Sequence, residues 1–79
     1  MGDLYYNIGV NNENQRRYPE AITSYQVSIK YREESGNKVG VAFCYRKIGS
    51  IYDIQGNHAE ALASFLNALK CYENVGYKD

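Results

Sequence analysis

Proline occurs once in the 79 residues, at Pro19; tryptophan is absent and histidine occurs once, at His58. With so few breakers the chain runs on in long uninterrupted stretches, which points to helices rather than short strands joined by turns. The two cysteines, Cys44 and Cys71, cannot supply the disulfide framework that small secreted domains use in place of a core. An excess of either charge is also missing. Nine Lys+Arg stand against nine Asp+Glu, which excludes the footprint of a nucleic-acid binder and a polybasic membrane patch. No apolar run approaches the roughly 20 residues of a membrane span. The opening Met-Gly-Asp-Leu-Tyr-Tyr-Asn lacks the basic-then-apolar order of a secretory leader, and Tyr6 stands where myristoylation wants Ser or Thr. These absences lead us to expect a cytoplasmic protein with reduced thiols, no cofactor, no nucleic-acid partner and no membrane partner.

What is present is 44% hydrophobic residues, among them nine tyrosines. That is enough for a packed core and too much for a disordered tail. The length fits one small domain, whose core supplies about 3–5 kcal/mol of net stability, so partners matter.

Sliding the sequence along itself by 40 residues shows how it is organised. Tyr5, Ile8, Gly9, Gln15, Glu20, Ala21, Ser24, Lys30, Glu33, Gly36 and Lys38 all meet identical residues in the second half, where average composition would give roughly two or three such meetings. Ile22 with Leu62, Tyr25 with Phe65, Ile29 with Leu69 and Glu13 with Asp53 are conservative pairs. A fixed period of this size marks a stacked repeat, here in two copies: one over about 3–36, the other over about 38–76.

Each copy reads as two helices. Tyr45, Ile48, Ile51 and Tyr52 form an apolar stripe of helical period, and Gly56 ends that helix in the left-handed cap position. Asn57 with Glu60 three residues on starts the next helix in the manner of a capping box. Ala61, Leu62, Phe65, Ala68, Leu69 and Tyr72 then keep the period until Gly76. The first copy runs in parallel through Tyr5, Ile8, Val10 and Asn12, then Ala21, Ile22, Tyr25, Ser28, Ile29 and Arg32, with Pro19 tolerated in a first turn. The expected helices are about 3–15, 18–35, 38–55 and 58–75. Gly9 and Gly49 fall mid-helix, where glycine costs roughly 0.5–1 kcal/mol against alanine. Ala21 and Ala61 lie twelve positions beyond them, and such small residues on two antiparallel helices would let the backbones approach.

Catalytic and metal-binding arrangements are not supported. His58 corresponds to Tyr18 and reads as a helix-start surface residue, and one His with two Cys 27 residues apart is no zinc pattern. Cys44 and Cys71, matching Leu4 and Tyr31, read as core hydrophobes. Glu13, Asp53, Glu33, Glu34 and Glu73 read as solvated helix faces. Arg16-Arg17 is too short a run for a nucleic-acid patch. We expect no enzyme.

Tyr45-x2-Ile48-Gly49-x2-Tyr52 followed by Ala61-x3-Phe65-x2-Ala68 resembles the tetratricopeptide repeat. In the first copy Tyr5, Ile8-Gly9, Ala21 and Tyr25 agree, whereas Asn12, Arg16-Arg17 and Ser28 depart from the family pattern. The period resembles the longer variant of that family, as does the inter-repeat turn Gly36-Asn37-Lys38-Val39-Gly40-Val41-Ala42. The resemblance implies an all-α fold of two helix-turn-helix hairpins stacked as a short right-handed superhelix. It also implies a non-catalytic interaction module whose concave face binds a peptide or partner segment. Carried onto this chain, the groove places are Asp3, Tyr6, Val10 and Glu13, then Phe43, Arg46, Ser50 and Asp53, with Tyr6 and Phe43 as anchors and Arg46 as the one groove cation. Arg46 either meets a ligand carboxylate or merely neutralises Asp53 or Glu13. The family's dicarboxylate clamp wants Lys and Asn on these faces; Tyr6, Val10 and Ser50 stand there instead, which disfavours chaperone-tail binding.

Leu62, Phe65, Leu66, Leu69 and Cys71 lie on the last helix with no following helix to cover them, and about three repeats are normally needed for stability. Either the chain is a piece of a longer array, or it self-associates through Leu62, Phe65, Leu66 and Leu69, by docking or by exchange of a helix. A homodimer or higher oligomer is the expectation, and self-assembly is the alternative function.

Overall fold

The computed structural model describes residues 1–74, and among them the regular structure is helical throughout. Helices α1 (Gly2–Asn14), α2 (Tyr18–Glu34), α3 (Lys38–Ile54) and α4 (His58–Asn74) follow one another, within a residue or so of the expected bounds. The expected closure at Gly76 lies outside the described residues. α1 packs on α2, α3 on α4, and α2 on α3, so two hairpins stack along one direction. No helix among the described residues is long and apolar enough to cross a membrane.

The three connections are built alike. Each spans three residues, and its middle residue has positive φ: Arg16 at 62°, Gly36 at 75° and Gly56 at 82°. The N–H of the residue after it reaches back to the helix, from Arg17 to the Asn12 carbonyl, from Asn37 to that of Arg32 and from Asn57 to that of Tyr52, each at 2.8 Å. The middle residue's own N–H bonds to Glu13, Glu33 or Asp53 at 2.9 to 3.1 Å. These paired bonds are the Schellman closure, which satisfies carbonyls that a helix end leaves bare. It needs a left-handed residue, which glycine supplies without strain and Arg16 does not. α3 then begins with the Asn37 side chain accepting from the Gly40 N–H at 3.0 Å. At α4 the starting bond is backbone, from Ala61 N–H to the Asn57 carbonyl at 3.0 Å.

The core runs through Ala21, Tyr25, Ile29, Val41, Cys44, Ile48 and Ile51, which are the stripe residues of α2 and α3. Tyr25 is wholly buried at its centre. A Cβ at Gly9 would lie 2.7 Å from Tyr25 Cε1, and one at Gly49 would lie 2.8 Å from Phe65 Cε1. The structure therefore corrects the expected pairing of glycine with alanine. What fills each glycine notch is an aromatic ring, one helical turn beyond Ala21 or Ala61, because a flat ring needs the space that a side chain on the facing helix would take. Tyr25 also packs on Tyr6, with ring centroids 5.6 Å apart, and its hydroxyl donates to Glu13 Oε1 at 2.8 Å. Cys44 is buried and its thiol donates to Ser28 Oγ at 3.4 Å, while Cys71 is half-buried.

Burial, reinforced by the Glu13 carboxylate, pushes the Tyr25 phenol upward; burial likewise raises Tyr45 and the Cys44 thiol. The folded state thus holds these protons more tightly than the unfolded chain, in which thiols ionise near about 8.5 and phenols near about 10.

Four outcomes are expected of these turns and this packing. Arg16→Gly relieves the strained turn and stabilises the fold by about 0.5–1 kcal/mol in urea unfolding, whereas an unchanged midpoint would show that the strain is absent. Gly9→Ala drives a methyl into the buried Tyr25 ring and destabilises by about 1–2 kcal/mol, the overpacking cost less the helix-propensity gain. Gly49→Ala meets the more exposed Phe65, which can swing aside, so it is close to neutral; equal effects at the two sites would contradict the ring-in-notch account. Finally, stability holds through neutrality and declines as pH rises above about 8.5; an unfolding midpoint that stays flat to about pH 11 would count against the buried phenols.

Candidate functional site

On the inner side of the two hairpins, Tyr6 of α1 and Phe43, Arg46, Lys47 and Ser50 of α3 line a cavity of about 380 Å³. Helical spacing puts Phe43, Arg46, Lys47 and Ser50 on one side of α3, three or four residues apart. Tyr6 reaches them from the neighbouring hairpin.

Tyr6 is held from behind. Its ring packs on Tyr25, and the Arg32 guanidinium lies 4.8 Å from its centroid, within cation–π range. Arg32 is itself buried. It donates to Asp3 Oδ1 at 2.9 Å and to the Gly40 carbonyl at 2.9 Å, while its Nε has no partner. One charged side chain therefore links the start of α1, the end of α2 and the start of α3. Phe43, partly exposed, meets the edge of Tyr72, with centroids 6.4 Å apart and planes at 75°.

The charges around the cavity are mostly spoken for. Glu13 accepts from Tyr25 and lies 3.7 Å from Lys47 Nζ, Asp3 is bound by Arg32, and Asp53 meets His58 Nδ1 at 3.0 Å. Arg46 makes no ion pair among the described residues. Arg46 makes no ion pair with Glu13 or Asp53, whose carboxylates meet Lys47 and Tyr25, and His58, instead. The cavity offers two aromatic rings, a hydroxyl and one unengaged guanidinium, which can grip a carboxylate through two parallel bonds.

Of the groove places taken from the resemblance, Tyr6, Phe43, Arg46 and Ser50 come together at this cavity. Val10, Glu13 and Asp53 do not line it. Val10 turns inward and packs on the core cluster, Glu13 is half-buried and pairs with Lys47, and Asp53 sits in the last turn of α3, where it meets His58 at the start of α4. Lys47 corrects the reading of Arg46 as the one groove cation; it follows Arg46 directly and lies four residues after Phe43, a spacing that could have revealed it. Arg32 was visible only as a member of the α2 stripe. His58 is an exposed helix-start residue, as its position indicated. Among the described residues no three His, Cys, Asp or Glu side chains gather in a way that could hold a metal ion.

Among curated proteins and among solved structures, no match to the chain is found. A family model for the tetratricopeptide repeat, in contrast, matches residues 1–74, the whole of the four-helix body. Two equivalent hairpins, an aromatic ring seated on a glycine in each, and this match together make the chain a member of the tetratricopeptide repeat family, a non-catalytic repeat whose members generally mediate protein–protein interaction.

Proposed function

We propose that this chain is an interaction module that holds a partner segment against the inner faces of α1 and α3, with the cavity between Tyr6 and Phe43 as the anchor point. The observation that carries this reading is the convergence of two aromatic rings and an unengaged guanidinium on one cavity of about 380 Å³. Aromatic and arginine side chains supply most of the energy at interfaces, because they combine large contact area with directed hydrogen bonds. The segment that suits these surfaces carries an apolar side chain for the rings and a carboxylate close by for Arg46. Lys47 is tied to Glu13 and adds positive potential at the rim.

The probe is a set of short, end-blocked peptides that place Leu or Phe within four residues of Asp or Glu, with matched peptides in which Lys replaces the acid. The acidic set binds more tightly than the Lys set. Arg46→Ala weakens it by about tenfold, the loss of one charge-assisted pair, and Phe43→Ala weakens both sets. Phe43 and Arg46 are the clean positions to change, since Tyr6 also supports Tyr25 and Arg32 and its removal disturbs the core. Equal affinities for the acidic and Lys sets, or for Arg46→Ala and the parent, would refute the carboxylate-reading groove; fluorescence anisotropy measures all four.

A further inference from the structure

We propose that copies of this chain stack head to tail, the outer face of α4 in one copy covering the outer face of α1 in the next, just as α2 covers α3 within each chain. The 40-residue repeat supplies the template. Inside the chain, Ile29 of α2 and Cys44 and Ile48 of α3 meet and are 8%, 0% and 4% exposed. Their counterparts in the repeat are Leu69 on α4 and Leu4 and Ile8 on α1, which are 51%, 52% and 38% exposed. Each molecule therefore carries, at opposite ends, the two halves of an interface that it has already formed once in its middle.

The substitutions between these halves are matched. Across the inner junction Arg32 donates to the Gly40 carbonyl at 2.9 Å and to Cys44 Sγ at 3.8 Å, and a further bonded pair there is the Cys44 thiol donating to Ser28 Oγ at 3.4 Å. In the repeat this last pair corresponds to Leu4 and Ala68, both apolar; Ala68 is already 2% exposed within the single copy, so Leu4 is the member that lies on the outer face, and it leaves no polar atom to satisfy when covered. Past Ile8 the strip on α1 becomes polar at Asn11, so the first two turns of α1 carry the contact. Exposed apolar faces of this kind mark an interface. Because the two faces differ, the contact is heterologous, and a straight stack does not close on itself.

Sedimentation equilibrium on the full chain and on two single-end variants, Leu4→Glu and Leu69→Glu, tests this. Both positions are exposed in the single copy, and circular dichroism checks that the helices are retained. The average mass of the parent rises with concentration past that of two chains. Each variant alone stays monomeric. An equimolar mixture forms one-to-one pairs, since each variant keeps the end that the other has lost. A parent that is monomeric at every concentration overturns the stack. So does a Leu4→Glu variant that associates as the parent does, which would mean a symmetric α4-to-α4 contact, and so does a mixture that remains monomeric.

Discussion

In both hairpins an aromatic ring rests on a helix position that has no side chain, and most of the remaining structure follows from that contact. Tyr25 over Gly9 and Phe65 over Gly49 set how closely the two helices of each pair can lie. A methyl at either glycine would meet the ring at less than van der Waals separation, so each glycine gives up helix propensity in exchange for the depth of its notch. With that distance set, the stripe residues of α2 and α3 bury one another and the inner faces of α1 and α3 come close enough to share a cavity. The groove is thus a consequence of the hairpin packing rather than a separate construction.

The two copies have diverged in a coherent direction. Asp3 and Arg32 form an ion pair in the first copy; the same places in the second are held by Phe43 and Tyr72, which meet edge to face. Tyr25 donates to Glu13, whereas Phe65 has no hydroxyl, and the corresponding carboxylate, Asp53, turns to His58 instead. The polar set therefore sits at the middle of the molecule, where the Gly40 carbonyl of the second hairpin can receive Arg32. Removing one member of such a set would strand the others, since a buried guanidinium without acceptors is costly. In the second copy the aromatic pair Phe43 and Tyr72 carries no guanidinium and so avoids that cost.

Helix order, helix ends and the core stripe were legible in the sequence because they are set by local periodicity and by the glycines at 36 and 56, which report backbone conformation directly. The same is true of the groove side of α3, since residues 43, 46 and 50 share a face whatever surrounds them. Tertiary contacts were less visible. Alanine was the reasonable partner for Gly9 on size alone; that Tyr25 fills the notch depends on the stagger of two helices, which spacing within one helix does not encode. Val10 is hidden for a similar reason, since a small rotation about the α1 axis decides that it packs on the core cluster. The spacing of Lys47 from Phe43 puts it on the same side of α3, whereas its pairing depends on Glu13 on a different helix.

Groove and stacking surface draw on different residues of the same elements, and this bears on how the two can operate together. On α1, Tyr6 faces the cavity while Leu4 and Ile8 face outward along the stacking direction. On α4, Leu69 faces outward, and among the described residues none of that helix lines the cavity. A partner segment lying across Tyr6, Phe43 and Arg46 therefore leaves the ends open, and a neighbouring copy at either end leaves the groove open. In a stack the repeat relation carries over from chain to chain, so the Tyr6 of one copy follows the Arg46 of the preceding copy at the interval that already separates Tyr6 from Arg46 inside one molecule. A longer partner would then meet the same anchors at regular spacing. Weak single contacts, each worth only a modest affinity, would add through effective concentration rather than through any new interaction.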